Sequence, residues 1–226
     1  MSQVCPDPVA VRSATVAQID TLGLPVPPET FPFVWDEGDE VDLRPREEIE
    51  ARCAVLNVVV ARVFGLPPAG AIAWLEDARL VDQLTPPEWD FVADGVGDVP
   101  SFALHTEALA ALGWLLSLVK GLDPAAPTVL NAAPMFPNVP GGERYRSWRG
   151  RILSAPRDPR DAAVALDLYY CLDWAYLEAE QHHMQLPGLI DSNAIGQRRW
   201  ALEWAVLLHG PFHEEAPDWE EVDLST

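Results

Sequence analysis

The stretch from Asp161 to Gln181, DAAVALDLYYCLDWAYLEAEQ, is apolar over most of its length yet carries Asp167 and Asp173 inside the apolar run. A helix of this composition belongs in a core. Any carboxylate it takes there needs a cation or several donors, because an ionised group loses its hydration on burial. The stretch is therefore expected to be the central helix of the fold. Its two aspartates, six residues apart, point about 120° away from one another on an α-helix, so they do not form an acid–base pair. Asp167 is the candidate for a buried ion pair, and Asp173 is expected at an interhelical edge or in solvent.

Other segments also read as helices. In Glu47–Phe64, Ile49, Cys53, Leu56, Val60 and Val63 recur at helical spacing, and Gly65, Pro67 and Pro68 stop the helix. A shorter helix is expected from Ala69 to Leu80. Thr85-Pro86-Pro87-Glu88 has the form of a capping box with proline in the first turn. Ser101 can cap the next helix, whose body LHTEALAALGWLLSLVK is apolar on nearly every face before Gly121. The last helix is expected from the Asp191-Ser192-Asn193 cluster through IGQRRWALEWAVLLHG to Gly210.

Residues 1–43 are punctuated by Pro6, Pro8, Pro25, Pro27, Pro28 and Pro32 and end in the acidic run WDEGDEVD. They read as a proline-rich, mostly irregular extension. Residues 44–226 read as one helical domain with a long loop at 122–143, where prolines and a Gly-Gly pair interrupt any apolar period. No confident alternating strand is visible. The expected fold class is thus all-α, an irregular bundle of about six helices.

A formal net charge of -20 and a single lysine, Lys120, argue against nucleic-acid binding, which needs clustered cations on phosphates. A basic protein partner suits this charge. No signal segment opens the chain, and no apolar run reaches the roughly 20 residues needed to cross a bilayer. Three widely spaced cysteines, Cys5, Cys53 and Cys171, suggest reduced thiols and a cytoplasmic location. Nothing in the sequence sets an oligomeric state.

The one basic patch is the arginine cluster at 144–160, in which Arg144, Arg146, Arg149 and Arg151 form a candidate anion site with Tyr145 and Trp148 for stacking. The competing reading is that these arginines neutralise acidic segments of the same chain. Inside the apolar helices, Arg52, Glu107, Asp167 and Arg199 form a candidate buried polar network. Asp167 or Glu107 is expected to pair with Arg199 or Arg52, fixing helix register. Glu178 and His182 lie one helical turn apart with His183 adjacent, but no HExxH pattern occurs and a helix-end imidazole is ordinarily solvated. Neither a nucleophile elbow nor a phosphate-binding glycine loop is present. No cofactor or metal is expected.

Several pieces taken in order, RPREEIEAR from Arg44, LTPPEWDFV, HTEALAALGWLL, DLYYCLDWA, QRRWALEW and the closing DWEEVDLST, resemble the bacterial family with domain of unknown function 4272. The resemblance spans residues 44–226 and implies a compact, mainly helical domain without an assigned reaction. Against the family pattern, Cys171 stands where an arginine is common, Ala103 and Leu104 where a tryptophan is common, and Ser225-Thr226 where the ending is Asp-Thr. Those departures favour a structural or binding role over chemistry.

Two functions are expected from different classes. The first is a non-catalytic acidic protein-binding module, of immunity or regulatory type, that captures a basic partner. The alternative is an enzyme or small-ligand binder with a charged pocket around Glu107, Asp167 and Arg199.

Overall fold

In the computed structural model, which describes residues 2–128, 135–213 and 216–225, the aspartate-bearing stretch is one helix, Pro159–Gln181. Asp158 caps it, its side chain accepting the Arg160 N–H, and Pro159 occupies the first position, where the missing N–H costs nothing. Both aspartates are buried, at 2% and 5% exposure for Asp167 and Asp173. Of the two places expected for Asp173, solvent is excluded, and the side chain faces Arg199 of the last helix.

Among the described residues there are eight α-helices and a small antiparallel sheet of three strands. The fold is mostly helical but not all-α, and it has more helices than the six expected. In order the elements are β1 (Gln3–Val4), α1 (Pro8–Thr21), β2 (Glu40–Leu43), α2 (Arg46–Val63), α3 (Pro68–Ala78), α4 (Pro86–Asp94), α5 (Val99–Leu115), α6 (Tyr145–Arg151), α7 (Pro159–Gln181), α8 (Ser192–Ala205) and β3 (Val206–His209). Short 3-10 turns occur at Val81–Gln83 and Trp219–Glu221. No helix is long and apolar enough to cross a membrane among the described residues.

The chain forms two compact units. The first joins Met1–Arg44, Asp123–Pro127 and Arg157–Thr226. The second joins Pro45–Leu122 and Thr128–Pro156.

In the first unit, α7 packs against α1 and α8, and the sheet lies beside it. Residues 1–43 thus hold ordered structure where the proline count suggested an irregular extension. Pro8 was read as a breaker, but it sits at the start of α1, which Asp7 caps through the Val9 and Ala10 N–H groups. Ile19, Leu24, Trp35 and Val41 of this segment are buried. The Trp35 indole donates to the Pro6 carbonyl at 2.9 Å.

The strand order is β1-β2-β3, with Gln3 opposite Val41 and Val41 opposite Leu208. The segment Val206–His209 was expected to continue the last helix. It forms a strand because its backbone pairs with β2, and the ladder continues one residue further through the Arg44 N–H to the Ala205 carbonyl at 2.9 Å. A leucine-rich run of four residues suits either period, so its partner decides its conformation.

In the second unit α2 packs along α5, and α3 and α4 pack against α2. The capping box expected at α4 is formed: Glu88 N–H donates to Thr85 Oγ1 at 3.3 Å and Thr85 N–H to Glu88 Oε2 at 3.0 Å. Helix α5 starts earlier than expected, with Asp98 rather than Ser101 as its cap, and ends at Leu115. Residues 129–134 of the expected loop lie outside the described residues, as do Glu214, Glu215 and Thr226.

Candidate functional site

The four members of the expected buried network are all buried. Asp167 accepts from Arg12 Nη2 at 2.7 Å and from Thr15 Oγ1 at 2.7 Å, both on α1. Arg52 Nη1 donates to Glu88 Oε2 at 3.0 Å, and Nη2 bonds the other oxygen. Glu107 accepts from the Thr128 N–H at 2.8 Å and from its hydroxyl at 2.7 Å. Arg199 pairs with Asp173 at 2.7 Å. Asp167 thus takes Arg12, and Arg199 takes Asp173, in place of the expected pairing of Asp167 with Arg199. Arg12 lies in the segment read as an irregular extension, and Glu88 was read only as a capping-box residue.

The arginine patch divides in two. Arg149 bonds Glu50 and lies 3.7 Å from Glu47, while Arg151 bonds Glu143 at 2.7 Å and the Phe136 carbonyl at 3.0 Å. The Arg151 hydrogen bond holds the Glu143 carboxyl below its usual value. Arg144 and Arg146 are exposed to solvent. His182 lies 3.3 Å from Glu178, and both are open to solvent. Among the described residues no group of three or more His, Cys, Asp or Glu is placed to hold a metal ion.

A concave site lies in the first unit. A cleft of about 620 Å³ is lined by all four residues of β3 on one side and by the C-terminal segment, with Pro217, Glu221, Val222 and Asp223, on another. Glu203, His209 and His213 complete the polar part of its wall.

Three anchors hold the C-terminal segment in place. The Trp219 ring lies 5.4 Å from Trp204 and 6.2 Å from Trp200, and the Trp200 indole donates to the Trp219 carbonyl at 2.9 Å. Arg44 lies 4.6 Å above the Trp204 ring, donates to the Trp204 carbonyl at 2.6 Å and also bonds the Pro217 carbonyl. Val222 is buried, and Arg199 Nη1 donates to the Leu224 carbonyl at 3.1 Å. Residues 218–225 of the closing motif are thus a strap over α8.

Beneath the strap, one guanidinium serves two carboxylates. Arg199 Nη1 bonds Asp173 at 2.7 Å and its Nε bonds Glu203 at 3.2 Å, while Tyr170 lies 4.6 Å from its charge centre. Burial pushes the Asp173 carboxyl up despite Arg199. Burial likewise raises Glu203, with the nearby Asp173 charge adding to it and Arg199 opposing. Two carboxylates against one arginine leave one excess negative charge when both are ionised. Glu203 is the one that reaches the cleft. Sequence reasoning missed it, although Arg199 and Glu203 stand at i,i+4, the spacing at which helical side chains pair.

The rim beyond β3 is shaped by Asp39. Its carboxylate accepts the Asp36 N–H at 2.8 Å and lies 2.9 Å from His213 Nε2. A Cβ on Gly210 would come within 2.0 Å of the same carboxylate, so a larger residue there would force the carboxylate or the turn to shift.

Comparison with known families places residues 12–222 in the domain of unknown function DUF4272. The chain belongs to that family. The match begins in α1, so the DUF4272 domain takes in most of the segment that the sequence resemblance left out. No curated protein and no solved structure matches the chain. The family assigns no reaction, so the DUF4272 chain must be read from its own geometry.

Proposed function

We propose that this DUF4272 protein is a non-catalytic, acidic protein-binding module of immunity or regulatory type, acting in the cytoplasm, whose cleft receives a basic segment of a partner. The observation that supports this reading is the carboxylate excess in the cleft: Glu203, Glu221 and Asp223 line it, with no lysine or arginine among the described lining residues. Glu203 shares its arginine with Asp173, so an arriving lysine or arginine would supply the charge the cluster lacks. A net charge of -20 adds long-range attraction for a cationic partner.

The other reading, a charged pocket around Glu107, Asp167 and Arg199, has less support. Each of the three is engaged in a separate set of hydrogen bonds, and none lines the cleft.

Binding of fluorescent poly-lysine and poly-glutamate peptides to the whole protein at low salt tests the proposal. Poly-lysine is expected to bind and to lose most of its affinity for a Glu203→Gln, Glu221→Gln, Asp223→Asn variant. Equal binding to wild type and variant would remove the cleft from consideration, and no binding of poly-lysine would end the reading.

A further inference from the structure

The cleft has a backbone wall as well as a charged one. In an antiparallel pair the residues alternate between those that bond the facing strand and those whose N–H and C=O point the other way. The Arg44 N–H to Ala205 carbonyl bond at 2.9 Å sets the phase of the β2–β3 ladder. Asp42 with Leu207 and Glu40 with His209 then exchange bonds, while Val206 and Leu208 turn their backbone groups to the outer edge. The other side of β2 agrees: the Cys5 N–H bonds the Asp39 carbonyl at 2.8 Å, which makes Val41 bond β1. The Val206 N–H is taken by Leu202 at the end of α8. The Val206 carbonyl and both backbone groups of Leu208 face outward, and among the described residues no strand pairs with that edge.

The edge is short, but its chemistry does nothing to repel a further strand. Its sequence is VLLH, without lysine, proline or bulge, and every one of its residues lines the cleft. The two carbonyls and one N–H, beside an acidic wall, suit an extended cationic chain better than a small cation.

Resting on the reading of the cleft as a site for a basic partner, we infer that the partner segment binds in extended form, adding a fourth strand along the outer edge of β3. Its backbone bonds Leu208 and the Val206 carbonyl. Side chains two residues apart share one face of a strand, so a segment alternating cationic and apolar residues directs the first set to Glu203 and Asp223 and lays the second beside Val206 and Leu208. A second copy of this chain is the less suitable occupant, because it would bring another -20 of charge and a second set of carboxylates to the same edge.

The test uses a fluorescent alternating Lys-Val octapeptide and the same peptide with alternate backbone nitrogens methylated, each titrated into the whole protein at low salt. Methylation keeps the charge and removes strand donors. The unmethylated peptide is expected to bind about tenfold or more tightly than the methylated one, the loss of one to two hydrogen bonds. Leu208→Pro puts a ring carbon where the outward N–H stood, removes no β2 bond and keeps an added strand from the edge, so it is expected to erase that difference. Its folding is checked by circular dichroism, and the peptide comparison on wild type stands without it.

Equal affinity of the two peptides would overturn strand addition while leaving capture by charge intact. Failure of the alternating peptide where poly-lysine binds would do the same, whereas failure of both would remove the underlying reading. A wild-type dimer in sedimentation that Leu208→Pro dissociates would assign the edge to a second copy and overturn the proposal.

Discussion

Arg12 Nη2 and Asp167 Oδ1 stand 2.7 Å apart, joining α1 to the middle of α7 across 155 residues of sequence. The guanidinium also donates to the carbonyls of Phe31 and Pro32, and lies 5.0 Å from the Phe33 ring. One side chain thus ties down both the helix that bears it and the proline-rich turn that follows. Replacing Arg12 with leucine strands the Asp167 carboxylate at 2% exposure. Chemical denaturation of Arg12→Leu is expected to show a loss on the order of 3 kcal/mol. The double variant Arg12→Leu, Asp167→Leu should recover part of it, and a single variant as stable as wild type would show that the pair contributes nothing.

Glu203 makes stability depend on pH in the opposite sense to an ordinary paired carboxylate. Its folded-state value is raised, first by burial and then by Asp173. The folded protein therefore holds a proton that the unfolded chain has released, and stability falls as pH rises from the usual carboxylate range, near pH 4, through the raised value. Asp173 acts in the same direction. Urea denaturation across this range should show a shallower fall for Glu203→Gln than for wild type, since glutamine can still accept from Arg199. An unchanged slope would mean that Glu203 titrates normally.

Gly210→Ala should distort the turn after β3. The added Cβ would meet Asp39 Oδ1 at 2.0 Å, and that carboxylate is held by the Asp36 N–H and by His213. A loss of about 1–3 kcal/mol is expected by thermal denaturation, as for other overpacked sites. Asp39→Ala in the same chain should relieve the clash, and a Gly210→Ala protein that melts with wild type would contradict this account.

All three cysteines should be silent in the native protein. Burial, aided by Asp39, pushes the Cys5 thiol up to about 11, burial with Asp167 pushes Cys171 to about 12, and burial also raises Cys53. The thiolate is the reactive form. Iodoacetamide at pH 8 is expected to label none of them rapidly until denaturant is added, as read by intact mass. Fast labelling of native Cys171 would show that α7 opens locally.

The signals legible in the sequence were those in which a residue acts on its neighbours. The Thr85–Glu88 capping box and the Asp191 cap lie within one turn of the N–H groups they bond. The apolar face of α2 repeats at the period of the helix itself. Asp7 and Pro8 were equally local, and would have located α1 had the proline been read as a helix start instead of a breaker. Glu203 was readable in the same way, from its spacing to Arg199.

The sequence by itself determined that α7 would be buried and that its carboxylates would need cations, because hydration is lost wherever such a helix packs. It also determined a largely helical chain with an excess of negative charge. Only the tertiary structure decided which cations answered: Arg12 for Asp167 and Arg199 for Asp173, chosen by chain segments that fold back from afar. Tertiary pairing likewise turned Val206–His209 from an ambiguous apolar run into a strand, since β2 supplied hydrogen bonds that no local helix continued to offer. The cleft beside β3 follows from that same pairing, and residues with no common sequence signature line it together.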